Sequence, residues 1–218
     1  MNNSIRDNMP RSAALAGVLA TLCLTIMPVH AGNIIEEWSQ VKAPPPPALH
    51  AVRIAPASTA LIVMDISTKT CTKARWPRCV PTLPSVARLV REARASGVLV
   101  LYSLIGHDSR NDIPRAFAAR PSDTVLTGAG PDKFLGTDLG AILKDKHIKT
   151  LITVGSLAEG AVLNTASAAA LRGLHVIVPV DGMSSNTLFG EQSTVWYLAH
   201  APRVSQHTEL TTVRRIRF

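Results

Sequence analysis

The sequence predicts an α/β protein: a three-layer α/β/α sandwich on a mostly parallel sheet of six strands. Short apolar, β-branched runs alternate with helix-compatible stretches over about 150 residues, as strands joined by crossover helices do. Ala60 to Ile66, ALIVMDI, is apolar except for one carboxylate near its end, as expected for a strand buried on both faces. A chain of 218 residues can also bury one sizeable core but not two.

The elements follow in order. Residues 1–31 are expected to be a secretory signal. Arg6 and Arg11 make a basic start, Ala13 to Met27 carries no charge, and Val29-His30-Ala31 offers the small residues a signal peptidase reads. The apolar run is shorter than the roughly 20 residues a bilayer requires, so no membrane span is expected once the signal is removed. Residues 32–58 lack periodicity and contain Pro44-Pro45-Pro46-Pro47, which reads equally as a docked polyproline arm or a flexible leader. Residues 59–218 are expected to form the single folded domain. Ala60 to Ile66 is its first strand, and Pro84 to Ser96 its first helix, with Val86, Leu89, Val90 and Ala93 on one face and Gly97 ending it. Val98 to Leu104 is a second strand and Thr124 to Thr127 a short third. Thr137 is expected to cap a helix to about Lys146. Thr150 to Val154 and His175 to Val180 are strands four and five, with a helix from about Ala161 to Leu171 between them. Glu191 to His200 reads as a helix and Arg203 to His207 as a sixth strand.

The whole chain has a net charge of +8. Losing residues 1–31 removes two arginines and one aspartate, leaving +7. That balance suits an anionic small molecule or an anionic envelope surface. Nucleic-acid binding is not expected, because the basic residues are scattered and aromatics make up only 4% of the chain. Cys23 would leave with the signal, and the remaining pair, Cys71 and Cys79, is expected to form a disulfide in an oxidising compartment. The alternative use of either thiol is as a relocated nucleophile.

The segment Thr150 to Val180, TLITVGSLAEGAVLNTASAAALRGLHVIVPV, reads strand, Gly-containing turn, alanine-rich helix, strand. A helix starting at the carboxyl end of a buried strand aims its free N–H groups into the crevice above the sheet. This segment resembles the isochorismatase-like cysteine hydrolases, in which a Gly, a few residues and a Cys-Val pair open the helix. Here Ala161-Val162 occupies the position of that pair, and an alanine methyl cannot attack anything. The resemblance runs from about Thr59 to His207. It implies a strand order of 3-2-1-4-5-6, with the ligand crevice at the carboxyl ends of strands one and four.

The family works with an Asp, a Lys and a Cys. The resemblance assigns the Asp to Asp65. Anchoring on Phe134 and the GTDL after it sets the family Lys at Gly128, and Lys133 is the lysine nearby, able either to reach Asp65 or to sit solvated in its loop. The implied oxyanion donors are the amides of Leu157 and Ala161, and a non-proline cis peptide common in the family maps to Ser156-Leu157. Glu159, beside the empty nucleophile position, is a candidate second acid/base or a residue favourable to the helix dipole.

No metal and no cofactor are expected. His107-Asp108 has no partner at ligand spacing, and neither a Gly-x-Ser-x-Gly elbow nor a Gly-x-Gly-x-x-Gly loop is present. The expected function is hydrolase-like action on a small molecule with Asp65 as general acid or base and no thioester. The rival is an inactive family member that binds a small ligand or a partner protein in the cell envelope. Relatives commonly form oligomers, so a homo-oligomer is the implied assembly.

Overall fold

The computed structural model describes residues 32–218, so the expected signal segment lies outside the described residues. The chain divides into two compact units at Ala43/Pro44. In the first, Gly32 to Ala43 folds on itself: the Asn33 side chain accepts from the amides of Ile35 and Glu36, ahead of a single 3-10 turn at Trp38–Gln40.

The second unit contains the sheet. Its strands are β1 (Val52–Arg53), β2 (Thr59–Met64), β3 (Leu99–Ser103), β4 (Thr124–Leu126), β5 (Thr150–Ser156), β6 (His175–Pro179), β7 (Met183–Ser184), β8 (Thr208–Thr211) and β9 (Ile216–Arg217). The helices are α1 (Leu83–Ala95), α2 (Leu139–Asp145), α3 (Leu163–Leu171) and α4 (Leu188–His200). The main sheet runs β4-β3-β2-β5-β6-β8 with every pair parallel, which is the expected order. It has seven strands rather than six, because β7 adds to the end of β5 where β6 has already diverged.

Side chains of one strand alternate between two cores, as the two-residue period of a strand requires. Leu61, Val63, Ile152 and Val154 face α1, where Val86, Leu89, Val90 and Ala93 form the inward stripe read from the sequence. Ala60, Ile62, Met64 and Leu151 face the opposite layer, built from α2, α3 and α4 through Leu139, Leu143, Ala166, Ala169 and Leu198.

Two stretches differ from expectation. The strand expected at Arg203 to His207 is a turn, and the strand follows it as β8. Pro202 cannot continue α4 and Arg203 takes a left-handed φ of 64°, so the chain is still reversing there. The residues preceding Thr59, read as an arm, join the domain from Pro44 onward. Val52 and Arg53 pair in parallel with Ile216 and Arg217, and Val52 and Ile54 are buried in the α1-side core.

Candidate active site

The winding of the sheet reverses between β2 and β5, and it is outside the carboxyl ends of the strands at such a point that α/β sheets place their ligands. Met64 and Gly155 are register partners there. Asp65 follows Met64 directly, and Ser156 follows Gly155. The strands are very close: a Cβ on Gly155 (φ 139°) would lie 2.1 Å from the Met64 carbonyl oxygen. Only glycine fits, and only glycine adopts that backbone readily.

Asp65 has left the strand with a positive φ of 58°, a conformation that aspartate tolerates better than most residues. Its amide donates to the Ser103 carbonyl at 2.9 Å. Both carboxylate oxygens are engaged. Oδ1 accepts from Ser103 Oγ at 2.8 Å and Oδ2 from Lys133 Nζ at 2.7 Å. The pair is sealed from solvent, with Asp65 5% and Lys133 0% exposed. Burial pushes the Asp65 carboxyl above its ordinary range; the Lys133 ammonium and the Ser103 hydroxyl pull it part of the way back, and the negative charge of Asp108 adds to the rise.

Lys133 is held by its own loop. Its ammonium also donates to the Gly130 carbonyl at 3.0 Å, its amide to Thr165 Oγ1 at 3.1 Å, and its carbonyl accepts from Thr137 Oγ1 at 2.5 Å. Thr165, on α3, returns a hydrogen bond to the Pro131 carbonyl at 3.2 Å. Thr137 thus tethers Lys133 as well as accepting from the Leu139 amide at 3.2 Å as α2 starts. The loop therefore carries a buried cation five residues beyond Gly128, which itself has a left-handed φ of 74° and no side chain to offer.

The chain leaves β5 through a cis Ser156-Leu157 peptide and enters a single wide turn, Ala158–Val162, before α3. Of the expected amide donors, Leu157 precedes this turn and Ala161 lies within it, while the Gly160 and Val162 amides donate to the Leu157 carbonyl at 3.1 and 3.3 Å. The Ala161 side chain is 3% exposed and packs within the apolar layer with Ala158 and Val162. Glu159 is exposed and turned to Ser185, whose Oγ donates to its Oε1 at 2.7 Å. The pair sits against the first turn of α4, where a Cβ on Gly190 would fall 2.4 Å from Ser185 Oγ and 2.9 Å from Glu159 Oε2. Cys71 and Cys79 are joined in a disulfide, so neither offers a thiolate. Arg78, beside the bridge, ties that loop to α4 through both carboxylate oxygens of Glu191, at 2.8 and 2.5 Å. Among the described residues no group of three or more His, Cys, Asp or Glu side chains is placed to hold a metal ion, and no helix is long and apolar enough to cross a membrane.

Sequence reasoning missed Ser103, Thr165 and the Arg78–Glu191 pair. Ser103 had a signal: it is the hydroxyl that ends the strand beside the one bearing Asp65. Thr165 and Glu191 lie far from their partners in sequence and had none.

Comparison with known proteins agrees with this topology. The structure of an isochorismatase family protein from Desulfovibrio vulgaris subsp. vulgaris str. Hildenborough superposes with a TM-score of 0.65 at 19% identity, covering 72% of this chain and 95% of that one. A cysteine hydrolase from Pseudomonas syringae pv. phaseolicola 1448A gives 0.63 at 21% identity, covering 78% and 97%. N-carbamoylsarcosine amidase from Thermoplasma acidophilum gives 0.62 at 21% identity, covering 72% and 96%. At these identities the likeness shows the fold. No curated protein matches the chain. A sequence profile of the isochorismatase domain matches residues 59–209, and the chain belongs to that family.

Proposed function

We propose that this family member is a hydrolase that acts on a small molecule with water, rather than a side chain, as its nucleophile. The observation that carries the proposal is the buried contact between Lys133 Nζ and Asp65 Oδ2 at 2.7 Å, an acid and its cationic partner sealed at the crevice between β2 and β5. In the proposed step, water oxygen adds to an acyl carbon as Asp65 takes its proton. The charge on the acyl oxygen is met by the Leu157 and Ala161 amides. Collapse then breaks the bond to the leaving group, which takes the proton back from Asp65. Lys133 stabilises the carboxylate form, and Ser103 fixes the direction in which that carboxylate points.

Export is part of the same proposal, because the Cys71–Cys79 bridge suits an oxidising compartment. So is a homo-oligomer. A panel of small amides and esters, screened for product with the purified protein, tests the chemistry. Turnover should survive iodoacetamide and be lost in Asp65→Asn. An alkylation-sensitive activity, or one that persists in that variant, would sink the proposal.

A second reading is favoured by two observations: both Asp65 oxygens are already satisfied, and Ala161 is packed into the apolar layer. On that reading the crevice binds a ligand without turning it over. A ligand that raises the melting temperature with no product formed would support it, since a ligand bound only to the native state raises apparent stability.

A further inference from the structure

At the opposite, amino edge of the sheet, an open cavity of about 420 Å³ lies where the carboxyl ends of α2 and α3 meet the start of β5. That is within the size range of small-molecule sites. Its wall carries Lys144, Lys149 and Arg172, with His147 beside them, and no carboxylate is among its lining residues. Three other cavities of the domain each include one: Glu191 and Glu209 in the two beside Pro44 to Pro47, and Asp138 in the one beside β4. The carboxylate adjacent in sequence, Asp145, pairs with Lys146 at 3.2 Å.

The Arg172 side chain and the Lys149 backbone are held in place. The Arg172 guanidinium lies 4.5 Å from the centre of the Phe134 ring and donates from Nη1 to the Ala168 carbonyl at 2.9 Å. One of its five N–H donors is thereby used, and the fork is fixed in direction. Lys149 is anchored by its backbone on both sides, its amide on the Ser58 carbonyl at 2.8 Å and its carbonyl on the His175 amide at 2.9 Å. Helix dipoles account for Lys144 and Arg172, each at a helix carboxyl end. They do not account for Lys149, which precedes a strand, or for the three cations sharing one concave wall.

We propose that this cavity binds a phosphate group, with the Arg172 fork and the Lys144 and Lys149 ammonium groups as its donors. The site is separate from the Asp65 crevice and does not rest on the proposed hydrolysis. The phosphate has two sources, a soluble molecule or a lipid headgroup, and the experiment separates them. Inorganic pyrophosphate is titrated into the full chain by calorimetry, and vesicles of phosphatidylglycerol are compared with phosphatidylcholine by co-sedimentation. The same measurements are made on Lys144→Glu/Lys149→Glu, two exposed positions, with a wild-type circular dichroism spectrum as the check on folding and Lys144→Gln/Lys149→Gln as the substitute if that check fails. One pyrophosphate per chain, bound about tenfold or more weakly by the variant, establishes the site for soluble phosphates. Binding only to phosphatidylglycerol vesicles, lost in the variant, establishes it for a headgroup. No binding in either arm, or binding that the variant retains unchanged, overturns the proposal.

Discussion

Lys133 is cut off from solvent, so its charge is tolerable only because Asp65 faces it at 2.7 Å. Removing one partner leaves a buried charge without compensation. Lys133→Met should therefore cost about 3–5 kcal/mol, whereas Asp65→Asn/Lys133→Met, which removes both charges, should cost clearly less than the sum of the single changes. Urea unfolding of the three variants at pH 7 checks this, and additive losses would mean that the pair is not the unit it looks like. The pH dependence has a defined sign. Burial already holds Asp65 above its ordinary range, so over the pH window just above that range the native state binds more proton than the unfolded chain. Stability from this group is full below pH about 4 and declines as pH rises through the folded value. Without Lys133 the decline should steepen, and the melting temperature of Lys133→Met should be highest in acid. Asp65 was legible because a carboxylate ending an apolar strand needs a reason. Lys133 was legible only as a candidate, since the loop that turns it inward depends on Thr165, thirty-two residues away in sequence.

The strand and helix periods gave away most of the elements, because β2 and α1 bury continuous or evenly spaced apolar residues. What they could not show was how tightly two strands approach at the crevice. Gly155 and Gly190 separate two kinds of glycine requirement. At Gly155 a Cβ would strike backbone, the Met64 carbonyl at 2.1 Å, on the strand that carries Asp65. Gly155→Ala should cost about 3 kcal/mol or more, since neither main chain can give way cheaply. At Gly190 the clash is with side-chain oxygens of Ser185 and Glu159, which can rotate aside. Gly190→Ala should cost about 1 kcal/mol while breaking the Ser185–Glu159 hydrogen bond. Chemical denaturation of both variants checks the ranking; equal losses would contradict it. The disulfide acts at the same scale. Cys71 and Cys79 are eight residues apart, and closing so short a loop contributes roughly 2.5 kcal/mol by restricting the unfolded chain. Cys71→Ser/Cys79→Ser should lose about that amount. It should also loosen Arg78 from Glu191, seen as faster amide exchange at Ser185, whose N–H donates to the same carboxylate at 3.0 Å.

At the scale of the molecule, the domain is closed by the two ends of the chain it contains. β1 pairs with β9, and Val52 and Ile54 enter the same core as Val213 and Ile216. Nothing in the sequence around residue 52 announces this. The strand is two residues long, prolines precede it, and its partner lies more than 160 residues away, so no local period exists to read. The family profile begins at residue 59, where the first long buried strand starts, and leaves β1 out. A domain cut at that point should consequently be incomplete. Burying a side chain of this size contributes about 1.5–3 kcal/mol, so losing Val52 and Ile54 should remove about 3–6 kcal/mol and leave Val213 and Ile216 facing water. For a domain of ordinary stability that is a third or more of the total. Residues 44–218 and 59–218 can be produced side by side and unfolded in urea. The shorter chain should have a clearly lower midpoint, and its slope should be smaller as well, because less surface remains to be exposed. Equal midpoints would mean that β1 and β9 are attached to a core already complete without them, and the first fifteen residues of the compact unit would then have to be explained by something other than stability.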